Sequence, residues 1–262
     1  MYKHWHLFWF FRKVSLMKLM EYRTDFYFWM TVSVMWTTFN FFFFSLLINL
    51  NGTIGGWSRW ELYALLGVFT MLDAFTWSFM AQNMWSYTGQ IFSGKLSGVL
   101  VKPIDAQFAM MATETSYNNI PRFLIGLAAV AWSLRQLGIT PDSISIILFI
   151  TTFFFALLFI YSLWFTVATL AFWVEKLDNI NEIVPAFRRM WQVPRTVYIG
   201  LSSTLFTVVL PLGLVSSLPT EILLHQLSGA WLSYFIVFSC LTFLVSRVFF
   251  KYSVKKYSSV GG

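Results

Sequence analysis

The sequence predicts an all-α membrane protein: six transmembrane helices, both chain ends in the cytoplasm, and an amphipathic interfacial helix ahead of the first span. Composition, the length of the apolar runs and the placement of charge all lead there. Of 262 residues, 58% are hydrophobic and 11% charged, whereas a soluble domain carries about 25% charged residues. A soluble fold could not hide 30 Phe, 13 Trp and 11 Tyr beneath so little charge, but lipid tails are as apolar as the side chains facing them. Strands of a membrane barrel alternate apolar and polar positions over about ten residues. Here the apolar runs are long and continuous, so helices are expected.

The elements follow in order. Residues 1–25 form the interfacial segment, with Trp5–Phe11 dipping into lipid and Lys and Arg at headgroup level. This apolar stretch is short, aromatic and followed by Arg12 and Lys13, so it does not read as a cleavable signal peptide. A span needs about 20 apolar residues. Six runs approach or exceed this within a transmembrane domain at 26–250: about 26–50, 60–82, 106–134, 144–173, 197–218 and 228–250. The third is polar in its first half, and the fifth contains Pro211. Residues 251–262 form a cytoplasmic tail. No linker or internal repeat divides the chain.

Orientation comes from Lys and Arg, which favour cytoplasmic connections. Five lie before the first span, two in the second connection (Lys95, Lys102), four in the fourth (Lys176, Arg188, Arg189, Arg195) and four at the C-terminal end. Those fifteen face Arg59 and Arg135 on the other side, with Arg122 inside a span. The net charge of +7 therefore marks orientation in lipid. It forms no basic face, and no nucleic-acid partner is expected.

Few residues suggest chemistry. Gly89–Leu96 approaches the phosphate-binding pattern GxxxxGK[ST], but Leu96 replaces the hydroxyl that would hold magnesium, and no buried strand precedes the loop. His4, His6 and His225 are scattered, so no metal site is expected. Cys240 stands alone and rules out an intrachain disulfide. Asn51-Gly-Thr53 reads as a turn.

Ionisable residues within the membrane are costly and demand partners. Asp73 in the second span and Arg122 in the third are expected to pair across neighbouring helices and fix packing, with a polar path as the sharper alternative. Glu114 lies about two turns before Arg122, nearer a wetted edge. The second connection, Ser86–Asp105, reads as a short amphipathic helix closed by Pro103. Ile91, Phe92, Leu96, Val99 and Leu100 form its apolar side, with Gln90, Lys95 and Lys102 among the polar positions. Gly94 and Gly98 permit close approach to another surface.

These features resemble the ABC-2 type permeases, membrane subunits of bacterial ATP-binding-cassette exporters. Glu21-Tyr22-Arg23-Thr24-Asp25-Phe26 is similar to the family's lead-in to the first span, where Glu21, Arg23 and Asp25 supply the charge. Gly94-Lys95-Leu96-Ser97-Gly98-Val99-Leu100-Val101-Lys102-Pro103 resembles its segment after the second span, although Ser97 stands where an acidic residue is frequent. Pro211 and Pro219 resemble its paired prolines around the fifth span. The resemblance implies that Gln90–Pro103 is a coupling helix touching a cytoplasmic ATPase subunit, present in two copies. It also implies a second permease subunit, identical or related, and short re-entrant helices around Pro211–Leu224. ATP and Mg2+ would be used by the ATPase and no cofactor bound by this chain, which would sit in the inner or plasma membrane. A stand-alone secondary transporter or channel is the rival reading. It predicts inverted repeats with breaks in both halves, and only the fifth run shows one.

Overall fold

The computed structural model describes residues 2–21, 23–174 and 179–256. Tyr22, Lys176 and residues 257–262 lie outside the described residues, as do the side chains of Lys3, His4, Trp5, His6, Asn51 and Lys256.

Helix α1 is Tyr2–Glu21 and α2 is Arg23–Asn51. A turn containing Gly52, Gly55 and Gly56, all at positive φ, leads into α3, Arg59–Phe92. Glu61 starts α3 by reaching back to accept the Ser58 N–H at 2.7 Å. Then come α4 (Ala106–Ala112), α5 (Ile120–Leu137), α6 (Ser143–Thr169), α7 (Leu201–Val209), α8 (Leu214–Leu223) and α9 (Gly229–Lys256). Asp105 caps α4 and Asp142 caps α6, accepting the Phe108 and Ser145 N–H groups at 2.9 and 3.2 Å. Gly138, at φ 68, ends α5 in the left-handed conformation that glycine adopts without penalty.

Among the described residues four helices are long and apolar enough to cross a membrane: α2, α3, α6 and α9. A fifth exists if α7 and α8, bent by 79°, count as one. Helix α3 is the central pillar, packed against α5, α8 and α6. Its seam with α5 is the tightest in the bundle. A Cβ on Gly67 would come within 2.8 Å of the Gly126 carbonyl oxygen, and one on Gly126 within 2.7 Å of that of Gly67. Only glycine lets two backbones approach this closely.

Several expectations are corrected. The third run is not one helix: α4 and α5 are separated by residues 113–119, an extended and 3-10 stretch. The break is stabilised by a complementary defect in α3, whose turn Trp77–Ala81 is a π-turn. Such a turn frees carbonyls, and that of Ser78 accepts the Ser116 N–H at 2.9 Å. The Asn83 side chain then pairs with both Glu114 N–H and C=O at 2.9 Å. Irregular backbone within a bundle requires such partners.

The second connection is shorter than expected. Gln90 and Phe92 lie in the last turn of α3, and only Ser97–Leu100 forms a helical turn of its own. The fifth run breaks at Pro211, whereas Pro219 lies within α8, which continues to Leu223. Arg12 does not face outward: it is 5% exposed, donates to the Ala112 carbonyl at 2.8 Å and sits over the Phe79 ring. Helix α1 instead exposes Trp9, Phe10, Met17 and Met20. Lys13, Lys18 and Glu21 are exposed beside them, so the outer face of α1 mixes apolar and charged groups as an interfacial helix does.

The fourth connection also differs. Residues 179–197 are a chain of short 3-10 turns with one α-helical turn, Ile183–Ala186, that begins beside α3, where Asn181 donates to Thr88 Oγ1 at 2.7 Å. It reaches Gly55 in the first connection, whose carbonyl accepts from Thr196 Oγ1 at 2.6 Å. Two of the arginines counted with the fourth connection are drawn away from its start: Arg188, part-buried, reaches Asp73, and Arg195, next to the Thr196 that bonds the first connection, pairs with Glu221 of α8 at 2.7 Å.

Candidate functional site

The polar centre of the bundle is Asp73, 1% exposed on α3. Arg122, in the first turn of α5, donates from Nη2 to Asp73 Oδ2. Arg188, from the 3-10 segment, brings Nη1 to 3.4 Å of Asp73 Oδ1. The Asp73–Arg122 pair follows from the sequence, because each is an ionisable group in an apolar run. Arg188 was missed, since its neighbours read as a surface connection. The signal available was that one buried carboxylate and a buried arginine still leave hydrogen-bonding capacity to satisfy.

Beside this centre lies a cavity of about 750 Å³ between α2, α3 and the start of α5. Trp29, Trp36, Trp77 and Trp85 wall it, and Arg122 and Arg188 line its floor. Asp25, in the exposed first turn of α2, reaches its mouth. Its companions in the lead-in motif do not: Glu21 ends α1, and Arg23 donates from Nε to the Met20 carbonyl at 3.1 Å. Asp25, Gln82, Ser116 and Asn118 are shared with a smaller cavity of about 210 Å³ beneath α1. Glu114 lines that second cavity and pairs with Lys18 of α1 at 3.3 Å. Thus Glu114 tethers α1 and does not join Asp73 and Arg122.

The segment Gln90–Pro103 forms the tip of α3. Gly94 sits at φ 70 with its N–H on the Ile91 carbonyl at 3.2 Å, so this glycine terminates a helix. Leu96 is fully buried, and Leu100 is partly buried against the core. Lys95, Gly98, Lys102 and Pro103 are exposed, with Phe92 at 41% and Val101 at 83%. Just beyond, Asp105 binds Arg247 of α9 through two hydrogen bonds of 2.7 and 2.6 Å. Arg247 also donates to Gln107, whose amide donates to the Tyr161 hydroxyl at 2.8 Å. This clamp ties the tip to α6 and α9.

Around the bend, Pro211 is buried between α7 and α8. Pro219 lies among a fully buried α8, where Ser216 donates to the Trp191 carbonyl and Ser217 accepts from the Arg195 N–H at 3.0 Å. Cys240 is free and exposed on α9.

Apolar helices of spanning length, a buried ion centre and an exposed basic tip define a polytopic membrane protein. Residues 34–261 match the family described as ABC-2 family transporter protein, and the chain belongs to that family, with a permease-type transport role. No curated protein and no solved structure matches it.

Proposed function

We propose that this chain is the permease subunit of an ATP-driven exporter in the cell's inner or plasma membrane. It has no nucleotide site of its own and works with two copies of a cytoplasmic ATPase subunit, which bind ATP and Mg2+. A second permease subunit, identical or related, completes the path. The chain passes six times through the bilayer with both ends in the cytoplasm: α2, α3, α5, α6 and α9 make five passages, and the broken segment 179–226 makes the other. Two observations support this topology. The broken segment begins beside Thr88 and ends with Gln226 donating to Glu61 at the opposite end of α3. Counted along the sequence, with Arg12, Arg122 and Arg188 drawn inside and Lys176 outside the described residues, eleven Lys and Arg remain with the side of the 93–103 turn, against Arg59, Arg135 and Arg195.

The observation that carries the coupling assignment is the exposed tip, where Phe92, Val101, Lys95 and Lys102 present apolar and basic groups together. Such a surface fits a groove on a soluble partner, with the charges steering its approach. Closure of the ATPase pair would move the tip, α3 would carry the motion to the Asp73 centre, and the Asp105–Arg247 clamp would carry it to α9.

Gly94 and Leu96 are poor positions for a test, because one needs positive φ and the other is buried. Phe92→Glu with Val101→Glu leaves the bundle alone. The expected result is loss of ATPase co-purification and about a tenfold or greater fall in permease-stimulated ATP hydrolysis. Unchanged assembly and stimulation would overturn the assignment.

A further inference from the structure

The cavity beside Asp73 contains more than packing requires. Two guanidinium groups share one carboxylate there, which leaves a positive charge in excess where charge is expensive. Arg122 is 7% exposed, and its Nε has no hydrogen-bond partner among the described residues. The guanidinium groups of Arg122 and Arg188 that line the cavity can give charge-assisted hydrogen bonds to an anion held there. The walls point to the rest of the ligand. Trp29 and Trp36 are 50% and 55% exposed along α2, so the cavity opens sideways toward the surroundings of the bundle. An aromatic box can also attract a cation, but here a cation would face the excess arginine. Asp25 also lines the cavity, but it is exposed, where water and salt screen its charge, whereas Arg122 is buried and Arg188 part-buried.

We propose that this cavity holds one acid-headed amphiphile, its phosphate or carboxylate paired with Arg188 and Arg122 and its apolar chain lying along the tryptophans. A volume of about 750 Å³ suits a small-molecule site. The proposal rests on the topology proposed above and not on coupling to an ATPase, so a binding measurement on the permease alone separates the two.

The test titrates the full chain, purified in a neutral detergent, with a short-chain phosphatidic acid and reads binding by native mass spectrometry. Arg188→Gln should weaken binding about tenfold or more, and Arg188→Lys should recover much of it. Trp36→Ala, exposed and clear of the ion centre, should weaken it several-fold and decides the matter if Arg188→Gln fails to fold. Arg135→Gln, at the other end of α5, should leave binding unchanged. The matching uncharged diacylglycerol should bind far more weakly, and inorganic phosphate should not compete at equal concentration. Equal binding of the diacylglycerol, equal competition by phosphate, or equal loss in Arg135→Gln and Arg188→Gln would overturn the proposal.

Discussion

Helices α2 and α3 have nearly equal mean hydropathy, yet only 11% of the most apolar stretch of α2 is buried, against 83% for α3. Hydropathy measures whether a helix prefers lipid to water and says nothing about whether its neighbours are lipid or protein. Both helices bond Thr hydroxyls to their own backbone, as Thr31, Thr37 and Thr38 do in α2, so what separates the two is the close glycine contact and the buried charge of α3. Helix α3 carries Gly67, Thr70, Asp73, Thr76 and Asn83, all used in contacts with other elements or in bonds to its own backbone. Helix α2 carries Tyr27, Phe28, Trp36, Phe39 and Phe42 facing outward. Helices in a bilayer gain little by burying large apolar groups against each other, so close packing and hydrogen bonds select the centre.

The contrast can be broken most severely at Asp73. Asp73→Ala leaves two guanidinium groups without their carboxylate, a loss of about 3–5 kcal/mol, read as a lowered unfolding midpoint in detergent. Gly126→Ala comes next. Its Cβ meets the Gly67 backbone, so α3 and α5 must separate at a cost of about 1–3 kcal/mol, read in the same way. Phe39→Leu on the outer face of α2 should change stability by less than about 0.5 kcal/mol. A Phe39→Leu effect as large as that of Gly126→Ala would mean that a protein surface covers α2.

The same contrast explains what was legible in the sequence. Four long helices were readable because an unbroken apolar run has one stable form in lipid. The Asp73–Arg122 pair was readable because a charge in such a run needs a counter-charge. The break at 113–119 was not, because it is held by Asn83 and the Ser78 carbonyl, some thirty residues earlier in the chain. Arg188 and Arg195 were misplaced because the 179–197 segment lacks helical periodicity and still runs through the bundle interior. Gly94 also acts as a helix terminator, so α3 ends later than a loop beginning at Ser86 implies.

The length of α3 has a consequence for geometry outside the bilayer. Its 34 residues, at about 1.5 Å each, extend roughly 51 Å, while a bilayer with its headgroups is about 40–45 Å thick. Standing upright with its first turn level with one headgroup layer, the helix overshoots the other by several ångströms. Its basic tip is then held like a bracket above the lipid phosphates, free of competition from them. On such a standoff, Lys95 and Lys102, both exposed, stand clear of the headgroup layer.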